Sequence, residues 1–191
     1  MKKLVLLLFT GLLMVLTGKL QAQDYWTVEV RPGMNLATGD LGNTSLDPGF
    51  GFEANIAYNF MEHLGVYGGW GWNKFASKDS DVELDFEQTG YTFGLQFIHP
   101  IGDSNLDYLI RGGGIYNHIE VENSDGDIIA DSGHGLGWEV GVGLNLNIGQ
   151  KLDLRPQIGY RTLTQDLKMG DTSTEVDMNY IALGLGVAVS F

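Results

Sequence analysis

No cysteine occurs in the 191 residues. That excludes a disulfide framework and a lipid-modified cysteine behind a leader. Positive charge is scarce: 11 Lys and Arg stand against 24 Asp and Glu, a formal charge of −13. Nucleic-acid binding needs the opposite balance. After Leu16 no apolar run is long enough to cross a bilayer as a helix, which takes about 20 residues. With 28 glycines, no collagen period and a mean hydropathy near zero, a helical membrane protein is excluded. Proline is rare, four in all, yet Pro32 and Pro156 fall inside strand-like stretches. Each removes a ladder hydrogen bond, which a bulge at either position would explain.

The chain opens with Lys2, Lys3 and an apolar run from Leu4 to Leu16, with a small residue at Ala22. The run is too short to span, and the pattern is that of a secretory signal peptide over residues 1–22. Its removal takes three lysines and no acid, lowering the formal charge from −13 to −16. The expected mature chain, 23–191, is long enough for one domain.

The remainder alternates with a period of two, the mark of strands with one apolar face. The clearest case is Ile181, Leu183, Leu185, Val187, Val189 and Phe191, with Ala182, Gly184, Gly186, Ala188 and Ser190 between them. A Gly/Ala/Ser face suits the crowded inside of a narrow barrel. Eight such stretches follow Tyr25. Short connections near Met61–His63, Pro100–Asn105 and Gly149–Gln150 alternate with long ones at Thr38–Gly49, Ala76–Glu87, Glu120–Gly133 and Thr164–Asp177. Outer-membrane barrels combine an even strand number with short periplasmic turns and long outer loops. The expected fold is therefore all-β, an eight-stranded antiparallel up-and-down transmembrane β-barrel. Aromatics gather towards strand ends, Trp26, Phe60, Phe97, Tyr108 and Phe191 at one rim, Trp70, Trp72, Tyr91, Tyr116 and Trp138 at the other. This suits two interfacial girdles. The apolar face is expected to meet lipid, because strand lysines occur only near ends, at Lys74 and Lys151, and the other face is rich in glycine.

With its strand count, acidic outer connections and terminal aromatic strand, the chain resembles the small OmpA/OmpX-like outer-membrane β-barrel family. The resemblance covers the mature chain and implies a cell outer membrane location in contact with outer-membrane lipid. It also implies insertion by the outer-membrane assembly machinery, with Phe191 as the assembly signal. It extends to the barrel alone, without the peptidoglycan-binding domain that follows it in full-length OmpA-like proteins. A monomer is expected.

The inward face collects Glu29, Arg31, Glu53, Arg111, Glu139, Asp153, Arg155 and Arg161. An eight-stranded barrel is just wide enough for side chains to fill it, and buried charges must pair. A salt-bridge network plugging the lumen is expected, with a narrow channel or a transporter of small apolar molecules as the alternative. His118 and His134 fall opposite one another if the chain folds back about Gly126. Two imidazoles beside Glu120 and Glu122 fall short of an ordinary zinc set, so no metal and no cofactor are assigned. Asp125-Gly126-Asp127 reads as hairpin chemistry rather than a calcium loop. For a lipid-modifying enzyme, His118, Glu120, Ser124 and Ser132 lack fixed spacing, so no catalytic residue is assigned. The long connections are acidic: Asp79, Asp81, Glu83, Asp85 and Glu87; then Glu120, Glu122, Asp125, Asp127 and Asp131; then Asp166, Asp171, Glu175 and Asp177. They keep the outer rim soluble, and divalent cations or an extracellular partner are the candidate ligands there. Val82, Leu84, Phe86, Ile119 and Val121 suggest strands that continue above the membrane. The expected function is a non-enzymatic outer-membrane barrel, structural or interacting through its loops.

Overall fold

The structure, a computed structural model, describes residues 25–42, 44–78, 84–169 and 172–191. The expected leader, residues 1–22, lies outside the described residues, as do Asp79, Asp81, Val82, Glu83 and Asp171. Nine strands form: β1 (Trp26–Ala37), β2 (Gly49–Asn59), β3 (Leu64–Ala76), β4 (Leu84–Pro100), β5 (Leu106–Asn123), β6 (Ile128–Asp131), β7 (Gly135–Asn147), β8 (Leu152–Met169) and β9 (Thr172–Ser190). All pairings are antiparallel, and there is no helix among the described residues.

Eight strands close the ring, in the order β1, β2, β3, β4, β5, β7, β8, β9 and back to β1. Closure leaves no free edge within the membrane, where an unpaired N–H or C=O would cost several kcal/mol. The ring is the expected eight-stranded barrel, and β6 (four residues) is an additional strand outside it. β6 pairs with β5 above β7 and touches β8 once, through Asp131 and Lys168. It is separate because the chain turns between Asp131 and Gly135. Asp131 Oδ1 accepts the Gly133 N–H at 2.7 Å, and Gly133 adopts φ +66°, a left-handed conformation that glycine takes without a Cβ clash. The β5–β6 hairpin closes at Gly126, φ +80°, with Asn123 Oδ1 accepting the N–H groups of Asp125 and Asp127.

The parity assigned to lipid is the exposed one: Val30, Phe52, Ile56, Leu95, Ile110, Val140, Val142, Ile158, Leu185 and Val187 all face outwards. The aromatic rims are occupied as pairs. Trp26 packs on Tyr58 and Phe97 on Tyr108 at the periplasmic end, Phe52 on Trp70 and Trp138 on Tyr160 at the outer end. Tyr108 to Tyr116 on β5 spans about 20 Å of barrel height at about 3.3 Å per residue and a tilt near 40°. That is close to the apolar band of about 25 Å in such barrels.

Neither proline sits in a bulge. The β1–β9 ladder skips Arg31 and Pro32 and resumes at Gly33 in the same register, while Pro32 stays aligned with Phe52 on β2. The β7–β8 ladder skips Arg155 and Pro156, again without a shift, and Pro156 keeps Leu185 as its β9 partner. A missing N–H therefore opens a short gap on one side only.

Two of the four expected long loops, 120–133 and 164–177, are largely strand. β4 and β5 pair up to Leu84 and Asn123, and β8 and β9 pair out to Met169 and Thr172. Above the aromatic belt the polarity of the two faces inverts. Phe75, Phe86, Ile119, Val121, Ala130, Leu163, Val176 and Met178 turn inwards and are buried. Asp166, Glu175 and Asp177 face outwards. Water replaces lipid outside at this height, so the apolar residues move to the inside. There they pack into one core with Ile115, Tyr180 and Leu41. Leu41 comes from the β1–β2 loop, which is held over the mouth by Asp47 N–H to Ala76 O and Lys78 N–H to Ser45 O. Each large side chain so buried contributes about 1.5–3 kcal/mol relative to exposure.

Candidate functional site: a charged lumen under an acidic rim

The lumen is layered. At its middle Glu29, 2% exposed, accepts from Arg111 at 3.2 Å and Arg155 at 3.1 Å, with Arg31 at 3.6 Å. Gln157 Nε2 donates to its other oxygen at 2.9 Å. Glu53 binds Arg31 and Arg161. Glu139 binds Arg161 at 2.5 Å and accepts from the Tyr67 hydroxyl at 2.5 Å. Arg111 also lies over the Tyr67 ring, 4.9 Å from its centroid. Seven of the eight charges named from the sequence thus share one network across the bore, and Asp153 joins it through Arg155 at 3.5 Å.

Glycine makes this possible. A Cβ on Gly184 would meet Arg31 Cδ at 2.7 Å, and one on Gly186 would meet Glu29 Oε1 at 2.9 Å. The tiny inward face of β9 is thus the floor on which two charged side chains from β1 lie.

Above the charges stands a layer of amides. Asn35 donates to Asn73, Asn73 to Gln88, and the Tyr180 hydroxyl to the same Gln88 oxygen. The apolar core of the outer extension lies above that. Two cavities adjoin the network. One of about 40 Å³ lies among Arg31, Glu53, Arg111, Glu139 and Arg161, room for about three waters. The other, about 280 Å³, is a vestibule at the periplasmic end lined by Thr27, Asn59, His63, Asp107, Asp153 and Ser190. Glu29 with Arg111 and Arg155 lies between them.

Two features escaped the sequence reading. The upper lumen is apolar, not charged and small throughout. The signal was there, in Leu163 following Arg161, and in Met178 and Val176 preceding Tyr180, all on the inward parity. The second is that His63 and His99 form a pair at the periplasmic rim, ring centroids 4.5 Å apart. The other histidines, His118 and His134, are in contact as expected, placed there by the β5–β7 register that pairs Asn117 with Gly135. Ser132 does not address either of them. Its hydroxyl serves Gln165 and accepts from the Ile119 N–H at 2.8 Å. On the outer surface Lys74 gathers Asp85, Glu87 and Glu122 at 2.9, 3.1 and 3.4 Å, and the remaining described acids of the rim outnumber it.

A closed antiparallel barrel with a lipid-facing apolar band, two aromatic belts and paired charges inside defines an integral outer-membrane β-barrel protein. Residues 9–191 match the family described as outer membrane protein beta-barrel domain, and the chain belongs to that family. Solved structures agree on the fold. Neisserial surface protein A is 16% identical with a TM-score of 0.63, covering 87% of this chain and 97% of its own. Outer membrane protein W of E. coli is 14% identical with a TM-score of 0.58, covering 90% and 100%. The attachment invasion locus protein Ail of Yersinia pestis, in complex with the heparin analogue sucrose octasulfate, is 17% identical with a TM-score of 0.50, covering 86% and 99%. No curated protein matches the chain.

Proposed function

We propose that this protein is a plugged, non-enzymatic barrel that works through its outer rim. The observation that carries the reading is the network centred on Glu29 and Glu53, which crosses the bore between the two cavities, with amides and an apolar core stacked above it. A path for ions would have to break charge-assisted hydrogen bonds in a low-dielectric interior, where they are strongest. A path for apolar molecules would have to displace Phe75, Ile119 and Tyr180, all fully buried. Purified barrel in a planar lipid bilayer is expected to give no single-channel steps. Steady conductance that changes on Glu53→Ala or Arg155→Ala would replace this reading with the channel.

The rim selects the partner by charge. Glu120, Glu122, Asp125, Asp127 and Asp131 on one arm and Asp166, Glu175 and Asp177 on the other repel polyanions such as the sulfated sugar held by Ail. They favour a cationic partner, or divalent cations bridging to anionic lipid headgroups. Rim binding of this kind weakens as salt rises, over a Debye length of about 10 Å at 0.1 M.

Phe191 serves assembly in the same reading. Its N–H and C=O exchange hydrogen bonds with Trp26, at 2.9 and 3.2 Å, next to the β1–β9 seam that closes the ring. Removing Phe191 is expected to leave a chain that folds in detergent but reaches the outer membrane in reduced amount. Normal amounts in membrane fractions would remove its role as a signal.

A further inference from the structure

We propose that His118 and His134 form a binding site for a borderline transition-metal ion, Zn²⁺, Cu²⁺ or Ni²⁺, on the outer rim. The site does not depend on whether the lumen conducts. His118 lies on β5 just above Tyr116 of the aromatic belt, and His134 lies in the turn entering β7. Both side chains are on the outer surface, beside Glu120. His118 Nδ1 stands 3.3 Å from His134 Nε2. Two imidazole nitrogens bound to one tetrahedral ion at about 2.0–2.1 Å are separated by about 3.3 Å. The pair therefore holds the spacing that a chelate requires.

The nitrogen facing away is also provided for. Glu120 Oε1 lies 3.4 Å from His118 Nε2. A carboxylate at that nitrogen keeps the proton there and leaves the Nδ1 lone pair for a metal, the carboxylate–histidine–metal arrangement that orients metal-bound imidazoles. His134 then donates its Nε2 proton to His118 in the metal-free pair. Metal binding asks only that this proton move to Nδ1 of His134, whose side chain is exposed. The arm is short and rigid at this point. Asn117 pairs with Gly135 just below, and Glu120 pairs with Asp131 just above. Tyr116 packs on the His134 ring, centroids 5.1 Å apart. No group of three or more His, Cys, Asp or Glu with metal-holding geometry occurs among the described residues, so water completes the coordination sphere and the ion exchanges. Nitrogen donors exclude calcium and magnesium, which take oxygen ligands.

The test is Zn²⁺ titration of the refolded full-length barrel in detergent, with folding of every variant checked by heat-dependent gel mobility. Wild type is expected to bind a single equivalent that excess Mg²⁺ does not displace. His118→Ala and His134→Ala should each weaken binding by about tenfold or more, and Glu120→Gln by about tenfold. The second histidine pair makes a control, since the chain has only four histidines. The double variant His63→Ala/His99→Ala should bind as wild type, and Cu²⁺ loaded on it should show coupling to two nitrogens by electron paramagnetic resonance. If one of the single variants fails to fold, that spectrum decides alone. Coupling to one nitrogen or none overturns the proposal. So does binding that survives in a folded His118→Ala/His134→Ala variant, or that is lost only with His63 and His99.

Discussion

Glu29→Ala is expected to lower the unfolding free energy of the barrel by about 3–5 kcal/mol, the cost of leaving buried partner charges uncompensated. Glu29 faces three guanidinium groups, and among the described residues no second carboxylate lies within ion-pair distance of Arg111. In its absence Arg111 keeps only Gln96 at 3.5 Å and the face of Tyr67, and its Nε and Nη1 already have no hydrogen-bond partner. Urea unfolding in micelles, followed by tryptophan fluorescence, measures the loss. Asp153→Ala is the comparison. Asp153 lines the open vestibule and meets one arginine at 3.5 Å, so its removal should cost about 1 kcal/mol or less. Equal losses for the two variants would mean that the mid-lumen charges are hydrated rather than buried, and the plugged reading would fall with them.

The second large effect concerns the outside of the barrel. Val142→Arg is expected to destabilise by about 2–4 kcal/mol, because it places a cation at the bilayer midplane. Val142 faces out between Ile110 and Ile158 and lies midway between Trp138 and Leu146 on β7. Leu136→Arg, on the same strand and face but level with Tyr116, should cost about 0–1 kcal/mol, since the penalty fades towards the interface. The same unfolding measurement in lipid vesicles gives both numbers. A flat response with depth would mean that this face does not meet hydrocarbon.

The lipid face was readable along the chain, because a period of two in Val140, Val142, Leu144 and Leu146 is a local property of a strand. The inward set of eight charges followed from the same parity. Which carboxylate meets which guanidinium did not, because Glu29 on β1 and Arg155 on β8 come from opposite ends of the chain and meet over β9. The register of the closed ring sets that contact. The apolar outer core was missed for a related reason. Phe75, Leu163 and Met178 occupy the parity that is polar lower down, and they make sense only once the height of the aromatic belt is known. The prolines show the converse: local chemistry suggested a bulge, but a closed ladder tolerated a one-sided gap.

The sequence by itself determined that no disulfide forms, that the strands alternate, and which face of each is apolar within the lipid band. Those follow from backbone geometry and side-chain period, which need no neighbours. Only the tertiary structure decided the strand order, the separation of β6 at Gly133, the sharing of Glu29 among three arginines and the meeting of His118 with His134 in front of Glu120. Apart from the local turn at Gly133, each of these depends on residues distant in sequence being brought within about 3 Å, the distance at which a hydrogen bond is made. Closing the ring is what brings them there.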